Sequence, residues 1–220
     1  MLNLPLENDP FKIEQFEKGI EAIQNGDPRK AIRHLTTAIT IEDNNAILYL
    51  HRGSCHKDLN NYLLARHDLE KGIQMIKVFM RENRDVGVET QDACMLQIIQ
   101  ALVMLAHMAK DEQRYSDAFN DYTEAIGFNY LMIHEDDLPA ELKKCNLFMR
   151  RSQIQAFLNR MTQASKDMGY ALAEASGTSK NAILQIAQKT GRWNEIEVAY
   201  NTFSKIFPPD RWDYIRRNIN

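Results

Sequence analysis

The feature that most constrains the fold of this chain is a short pattern that recurs along it. In each copy, a turn-forming stretch and a short helix start are followed by an alanine: Ala31, Ala65 and Ala118. Four residues past each alanine lies a large residue, and three further on lies a small one: Leu35 and Ala38, Leu69 and Gly72, Tyr122 and Ala125. Ala31 and Ala65 are 34 residues apart. A period of this length indicates a helical repeat.

The small residues have a physical reason. Two helices that are joined by a tight turn approach closely only where a side chain is nearly absent. Such a pair cannot cover its own apolar face, so the copies must stack. The composition agrees with helices, because the chain has only 9 glycines and 6 prolines among 220 residues and lacks clusters of strand-forming residues.

This spacing and residue order resemble the tetratricopeptide repeat family, whose unit is two antiparallel helices. The first three copies fit well, with Gly19, Ala22, Ala31, Leu35 and Ala38, then Tyr49, Gly53, Ala65, Leu69 and Gly72, then Leu102, Ala106, Ala118, Tyr122 and Ala125. Two weaker copies follow, with Phe148, Ala164, Met168 and Ala171, then Ala187, Trp193, Tyr200 and Pro208, where Ile196 replaces the alanine.

We therefore expect an all-α protein in one domain, 1–220. The resemblance implies a tetratricopeptide-type right-handed α-solenoid of about five helix pairs, with insertions after repeats 2 and 3. The expected repeats are 12–45, 46–84, 91–130, 139–175 and 179–208. A short C-terminal capping helix is expected in 209–220, because Asp210 can cap a helix from Arg211 to Arg217.

Two intervals exceed the regular period. Ala65 and Ala118 are 53 residues apart, and the extra length indicates two long helices around a turn-like stretch at 84–89. The interval from Ala118 to the next alanine, Ala164, is 46 residues, and its extra residues, 130–139, are expected to form a loop. Its acidic end predicts either a helix that starts near Pro139 and is capped by Asp137, or a partner-binding loop.

The residues contain no enzymatic motif, so we expect no catalytic activity, no cofactor and no metal. The five-residue spacing of His51 and His56 does not place them well on one helix face, and a cluster of these two with His67 and Cys55 is better explained by packing. Three widely spaced cysteines indicate a reducing compartment.

Charge and hydropathy exclude two further classes of partner. The net charge is −3, with 27 basic side chains dispersed among 30 acidic ones, so no nucleic-acid partner is expected. The N-terminus lacks the basic start and apolar run of a signal peptide, and the longest apolar stretch, 101–106, is too short to span a bilayer. We expect no membrane insertion and a cytoplasmic location.

The resemblance allows a test of one partner class. Chaperone-binding members of the family grip a C-terminal carboxylate with a clamp of Lys, Asn and Arg side chains. The matching positions here hold Phe16, Ile20, His51, Gln100 and Met104. Because a carboxylate needs cations and amide donors, the C-terminal tails of Hsp90 and Hsp70 chaperones are disfavoured as partners.

The same positions predict an apolar inner groove, whose first two repeats would present Ile13, Phe16, Ile20, Ile47 and Leu50. With His51, Gln100 and Met104, these are the predicted partner-binding residues. Such a groove suits an apolar helix or an extended segment of another protein. Alternatively, the N-terminal segment, 2–11, covers it.

Three functions remain open from the sequence. The leading expectation is an adaptor or scaffold that assembles a multiprotein complex. The alternatives are a regulatory or accessory subunit of an enzyme complex, and a co-chaperone without the usual carboxylate clamp. The identity of the bound protein would separate these three.

Overall fold

The computed structural model of the chain describes residues 9–132, 134 and 138–206. Every regular element in these residues is a helix, and they contain no strand, so the predicted all-α class is confirmed. The α-helices are α1 (Pro10–Gln24), α2 (Pro28–Ile41), α3 (Ala46–Asp58), α4 (Tyr62–Glu82), α5 (Val88–Asp111), α6 (Tyr115–Leu131), α7 (Lys144–Phe157), α8 (Met161–Glu174), α9 (Gly177–Lys189) and α10 (Trp193–Ile206). A short 3-10 helix, Ala140–Leu142, precedes α7.

Short polar side chains set the starts of the first three helices. The Asp9 carboxylate accepts hydrogen bonds from the amides of Phe11 and Lys12, and Asp27 and Asn45 cap α2 and α3 in the same way. Proline follows Asp9 and Asp27 directly, where its missing N–H costs nothing.

A left-handed residue stands two positions before every even-numbered helix. These residues are Gly26, Asn60, Gln113, Asn159 and Gly191, and their φ angles lie between 56° and 72°. Such a residue ends one helix by turning the chain back, which glycine and asparagine do at the lowest cost. The same turn therefore joins α1 to α2, α3 to α4, α5 to α6, α7 to α8 and α9 to α10.

The helices form two compact units, Met1–Met108 and Ala109–Asn220. In unit 1, α1 packs on α2, α2 on α3 and α3 on α4. Glycines permit these contacts: a Cβ on Gly19 would lie 3.1 Å from Leu35 Cγ, and one on Gly53 would lie 2.9 Å from Leu69 Cγ. The buried cluster in α1 to α3 includes Ala22, Ala31, Leu35, Ala38, Ile39, Leu48, Tyr49 and Cys55.

In unit 2, α6 packs on α7 and α7 on α8, but the last helix pair differs from the others. α10 packs chiefly on α8 and has few contacts with α9. Gly169 explains this packing, because a Cβ there would lie only 2.7 Å from the backbone oxygen of Ile196 and 2.6 Å from Ala199 Cβ. The position that sequence reasoning treated as a substituted alanine, Ile196, thus lies at a close helix crossing and is 1% exposed.

The helix that was expected to start near Pro139 is only a short 3-10 helix, and its expected cap, Asp137, lies outside the described residues. Only a 3-10 turn follows Pro139, and α7 begins at Lys144. Side-chain amides hold carbonyls that a continuing helix would need: Asn129 Nδ2 donates to Leu142 O at 2.6 Å, and Asn146 Nδ2 donates to Ala140 O at 2.5 Å.

Several predicted features lie outside the described residues: the capping helix in 209–220, most of the N-terminal segment, and the acidic residues Glu135 to Asp137 with Ile133. Of the predicted insertion loop, Tyr130 and Leu131 belong to α6.

One helix among the described residues, α5, is long and apolar enough to cross a membrane by length and composition. Its most apolar 18-residue window has a mean hydropathy of 1.5, although the longest uninterrupted apolar run is only 101–106. However, 67% of that window is buried inside the structure, as in the core helix of a globular protein.

Candidate partner-binding surface

Helix α1 carries two stripes of residues with different burial. Its buried residues, Lys12, Gln15, Gly19 and Ala22, recur every three or four positions and face the body of unit 1. The residues next to them, Ile13, Phe16 and Ile20, also share one helix face, but they are only half-buried. Helix α1 therefore keeps an apolar stripe that is only partly covered, although Phe16 also packs against the buried cluster of unit 1.

The buried stripe fixes the orientation of α1. Gln15 Oε1 lies 2.8 Å from His34 Nδ1 of α2, and Lys12, which is 1% exposed, pairs with the Glu42 carboxylate at the end of α2. Because a buried ammonium without its partner costs several kcal/mol, this pair restricts rotation of α1 about its axis. The pair therefore also fixes the direction in which the half-buried stripe of α1 faces relative to α2.

Helix α3 brings one predicted residue, His51, against this stripe and carries a second, Ile47, one turn away. Ile47 and His51 are one helical turn apart and both are half-buried. The rings of Phe16 and His51 contact each other, with their centroids 5.9 Å apart and their planes tilted by 52°. We call the set Ile13, Phe16, Ile20, Ile47 and His51 the α1–α3 surface.

Leu50, which was predicted for the same groove, lies in the interface of α3 and α4. It is 5% exposed, and its Cδ2 lies only 2.5 Å from the position that a Cβ on Gly72 would take. The hole left by Gly72 is filled by Leu50. A charge at Leu50 would therefore test the stability of unit 1 and not the binding of a partner.

The last two predicted residues, Gln100 and Met104, lie on α5. Both are half-buried and they are one turn apart, so they share a face of that helix. The contact between the rings of Phe16 and His51 involves neither of these residues. The extension of the α1–α3 surface to Gln100 and Met104 therefore stays a prediction.

The α1–α3 surface lacks a cation near neutral pH. Burial lowers the pKa of His51 below its usual value of 6.5, because the charged imidazolium loses its hydration. Phe16 and Ile20 are apolar, so the surface offers apolar area and one neutral imidazole. Apolar contacts are therefore the principal interaction that it can offer a ligand.

Sequence reasoning missed the polar network that supports α3 next to His51. The Arg52 guanidinium donates two parallel hydrogen bonds to Asp68 of α4, from Nε to Oδ2 at 2.7 Å and from Nη2 to Oδ1 at 2.8 Å. Its Nη1 donates to Thr36 Oγ1 of α2 at 3.2 Å. Arg52 therefore connects α2, α3 and α4. Its hydrogen bond to Asp68 also raises the pKa of Arg52.

A signal for this network was present in the sequence. The same arrangement recurs in unit 2, where Arg151 binds Asp167 at 2.8 Å and 2.7 Å and Thr123 at 3.2 Å. In both units the arginine and the aspartate are separated by 16 residues. The sequence alone shows an Arg–Asp pair with this separation in each unit. Arg52 lies as far before Ala65 as Arg151 lies before Ala164.

The described residues offer little other chemistry. Burial raises the pKa of the Cys55 and Cys94 thiols to about 11 and also raises that of Cys145, so these thiols are protonated near pH 7. No group of three or more His, Cys, Asp or Glu side chains that could hold a metal ion occurs in the part of the chain that was described.

A comparison of the chain with models of known protein families found no match. The tetratricopeptide resemblance therefore depends on the residues, spacings and turns of this chain alone.

Proposed function

We propose that the chain is a tetratricopeptide-type helical repeat protein that acts as an adaptor or scaffold. In this proposal an apolar helix or extended segment of a partner protein binds to the α1–α3 surface. The observation that carries the proposal is the second stripe of α1. Its Ile13, Phe16 and Ile20 stay half-buried, and Phe16 contacts His51 of α3, although α1 already has a complete buried stripe against α2.

Two features support the repeat character of the chain. The left-handed residue two positions before each even-numbered helix divides the ten α-helices of the described residues into five pairs with a common turn. The Arg–Asp–Thr network occurs at matching positions of α2 to α4 and of α6 to α8. Features this specific are expected when one helix-pair unit is used several times.

The charges beside the stripe define the partner further. Glu17 and Glu21 are exposed, and their spacing places them along one edge of the stripe Ile13, Phe16 and Ile20. A segment with apolar anchors every three or four residues and a Lys or Arg flank complements such a surface. The basic flank would mainly accelerate association, whereas the apolar anchors would supply the affinity.

The proposal is tested with substitutions that spare the core. Ile20→Glu and Ile47→Glu place charges on the α1–α3 surface, and both residues are half-buried. Leu63→Glu is the matched control, because Leu63 is an apolar residue of α4 that is 76% exposed. Far-UV circular dichroism and a thermal melt first establish that all three variants are folded.

Binding is then measured in two steps. Proteins that cross-link to the wild-type chain in its native source are identified, and the apolar segment of the recovered partner is titrated against the purified chain. We expect Ile20→Glu and Ile47→Glu to weaken binding by about tenfold or more, which corresponds to about 1.4 kcal/mol, and Leu63→Glu to leave it unchanged.

Equal affinity of all three variants would overturn the assignment of the α1–α3 surface. The identity of the recovered protein would separate an adaptor from an accessory subunit of an enzyme, because only the latter recovers a catalytic chain.

A further inference from the structure

An open groove runs between α8 and α10 in unit 2. It has a volume of about 570 Å³ and is predominantly apolar. The residues that line it include Lys166 and Tyr170 of α8 and Glu195, Val198 and Ala199 of α10. Val198 is 66% exposed, so a β-branched side chain of the groove lies largely in water. The helices of unit 2 therefore leave apolar surface uncovered at this place.

Both walls of the groove are held in place by packing. A Cβ on Gly169 of α8 would lie 2.7 Å from Ile196 O of α10, so the two backbones meet at this crossing and their distance is fixed. The ring of Tyr170 contacts those of Phe148 and Phe203, at centroid distances of 5.5 Å and 4.7 Å. A ligand would therefore not have to order the groove before it binds, which favours affinity.

The charged residues beside the groove leave a net positive charge. Arg192 Nη2 donates to Glu195 Oε2 at 2.6 Å, and Arg192 Nε donates to Ser165 Oγ of α8 at 3.0 Å. The Glu195 carboxylate thus already has a cationic partner. Lys166 is exposed and forms no ion pair with any other residue that the structure describes. The groove is consequently complementary to a ligand that combines apolar groups with an anion.

The dimensions of the groove fit a helix. Its residues on α10 run from Asn194 to Thr202, about 12 Å along the helix axis. Three apolar side chains of a partner helix at positions i, i+4 and i+7 span about 10 Å. An extended segment would bring unpaired backbone N–H and C=O groups against apolar walls, because α8 and α10 offer no strand edge to pair with them. A helix pairs these groups within itself.

We propose that this groove binds an amphipathic helix of another protein, with its apolar side chains against Tyr170 and Val198 and a carboxylate beside Lys166. The site lies outside the α1–α3 surface and prefers the opposite charge, because Glu17 and Glu21 flank that surface. A scaffold with two such sites binds two different partners and selects each of them by charge. Binding in the groove does not require the α1–α3 surface.

Two synthetic helical peptides serve as probes. They share an apolar face with leucine at every third or fourth position and carry either glutamate or lysine on its flanks. Their affinity is measured by fluorescence anisotropy with the full chain that carries Ile20→Glu, which blocks the α1–α3 surface. We expect the glutamate peptide to bind more tightly than the lysine peptide, and the difference to shrink as salt is added.

Two further substitutions in the Ile20→Glu chain test the groove. Val198→Glu places a carboxylate on the apolar wall and should weaken binding of the glutamate peptide by about tenfold or more. Lys166→Glu should reverse the preference, so that the lysine peptide binds more tightly. The matched controls are Ile186→Glu and Lys189→Glu, because both residues are exposed, lie on α9 and do not line the groove. Circular dichroism verifies that each variant is folded.

Failure of the glutamate peptide to bind saturably would overturn the proposal, and so would an order of affinities that Lys166→Glu leaves unchanged. Equal weakening by Val198→Glu and Ile186→Glu would contradict it as well, because the added charge would then act without contact in the groove. Sedimentation velocity tests one other occupant. A dimer of the full chain that Val198→Glu dissociates would assign the groove to a second copy of the chain and overturn the proposal.

Discussion

Helices α2 to α4 of unit 1 and α6 to α8 of unit 2 use one polar framework with different packing around it. In both, an arginine on the middle helix makes two hydrogen bonds to an aspartate on the following helix and one to a threonine on the preceding helix. The aromatic rings that contact the arginines also correspond. Arg52 Cζ lies 5.5 Å from the centroid of the Tyr49 ring, and Arg151 Cζ lies 5.2 Å from the centroid of the Phe148 ring.

The neighbours of this framework differ. Gly53 of unit 1 corresponds to Ser152 of unit 2, whose Oγ donates to Ala164 O at 2.7 Å. Leu69 lies next to Gly53, and the residue that corresponds to Leu69 in unit 2 is Met168. The directional hydrogen bonds therefore set the register of the helices, whereas the apolar contacts around them adapt to the side chains that are present.

The largest effects should come from removing the aspartates. Asp68→Ala leaves Arg52 largely buried without its partner and should lower the free energy of unfolding by about 3 kcal/mol. Asp167→Ala should cost more, because Asp167 also accepts a 2.6 Å hydrogen bond from Gln155. Urea denaturation of both variants measures the difference.

Glu14→Ala removes the exposed ion pair with Lys18 and serves as the control, with an expected change below about 1 kcal/mol. Equal losses for all three variants would refute a structural role of the framework.

The residues of unit 2 introduced at the corresponding positions of unit 1 test the difference in packing. Gly53→Ser should destabilise unit 1 by about 2 kcal/mol, because its Cβ would lie 2.9 Å from Leu69 Cγ. The added Leu69→Met should recover part of this loss, since methionine adapts to irregular space and the serine can then donate to Ala65 O as its counterpart in unit 2 does.

The double-mutant cycle gives the coupling between these two sites. Leu69→Met alone should cost stability, so a favourable coupling energy would show that the two residues are matched. Additive losses would mean that the packing difference between the units does not depend on this pair.

The helical class and the small residues could be predicted because their cause is local. Ala31, Ala65 and Ala118 are each 0% exposed, as expected for residues where helices cross. The packing of α10 could not be predicted, because Gly169 and Ala199 meet across 30 positions of sequence and a lone glycine in a helix has no period. The helix expected near Pro139 is limited to a 3-10 turn for a similar reason: the side-chain amides of Asn129 and Asn146 donate hydrogen bonds to the carbonyls of Leu142 and Ala140.

The candidate surface was predictable in part. The spacing of Ile13, Phe16 and Ile20 indicated a shared face, and the structure places all three at half-burial on α1. Spacing alone could not assign Leu50, because an apolar residue on α3 faces either a partner or α4. The absence of a side chain at Gly72 decides between them.

A smaller effect is expected where the two units differ beside the aspartate. His56 corresponds to Gln155, yet its Nδ1 is buried and has no hydrogen-bond partner among the described residues. His56→Gln should allow an amide hydrogen bond to Asp68 like that of Gln155 and raise stability by about 1 kcal/mol. The matched control is Gln155→His, which should lower stability. A loss in both variants would show that the units are not equivalent at this position.

The smallest effect concerns pH, where His51 of the α1–α3 surface corresponds to Arg150 of unit 2. Burial lowers the pKa of His51 in the folded chain, whereas the unfolded chain keeps a value near 6.5, so the unfolded state binds more protons at mildly acid pH. The contribution of His51 to the free energy of unfolding is complete above about pH 6.5 and is lost as the pH falls through that value toward the folded pKa.

His56 has a lowered pKa as well, so the measurement belongs in the His56→Gln background. There, His51→Gln should flatten the decline of the melting temperature between about pH 7 and pH 5, while Arg150→Gln should leave the slope unchanged because arginine keeps its proton throughout. A slope that is the same with and without His51 would mean that its ring is not desolvated against Phe16, and the α1–α3 surface would then be more open to water than the ring contact implies.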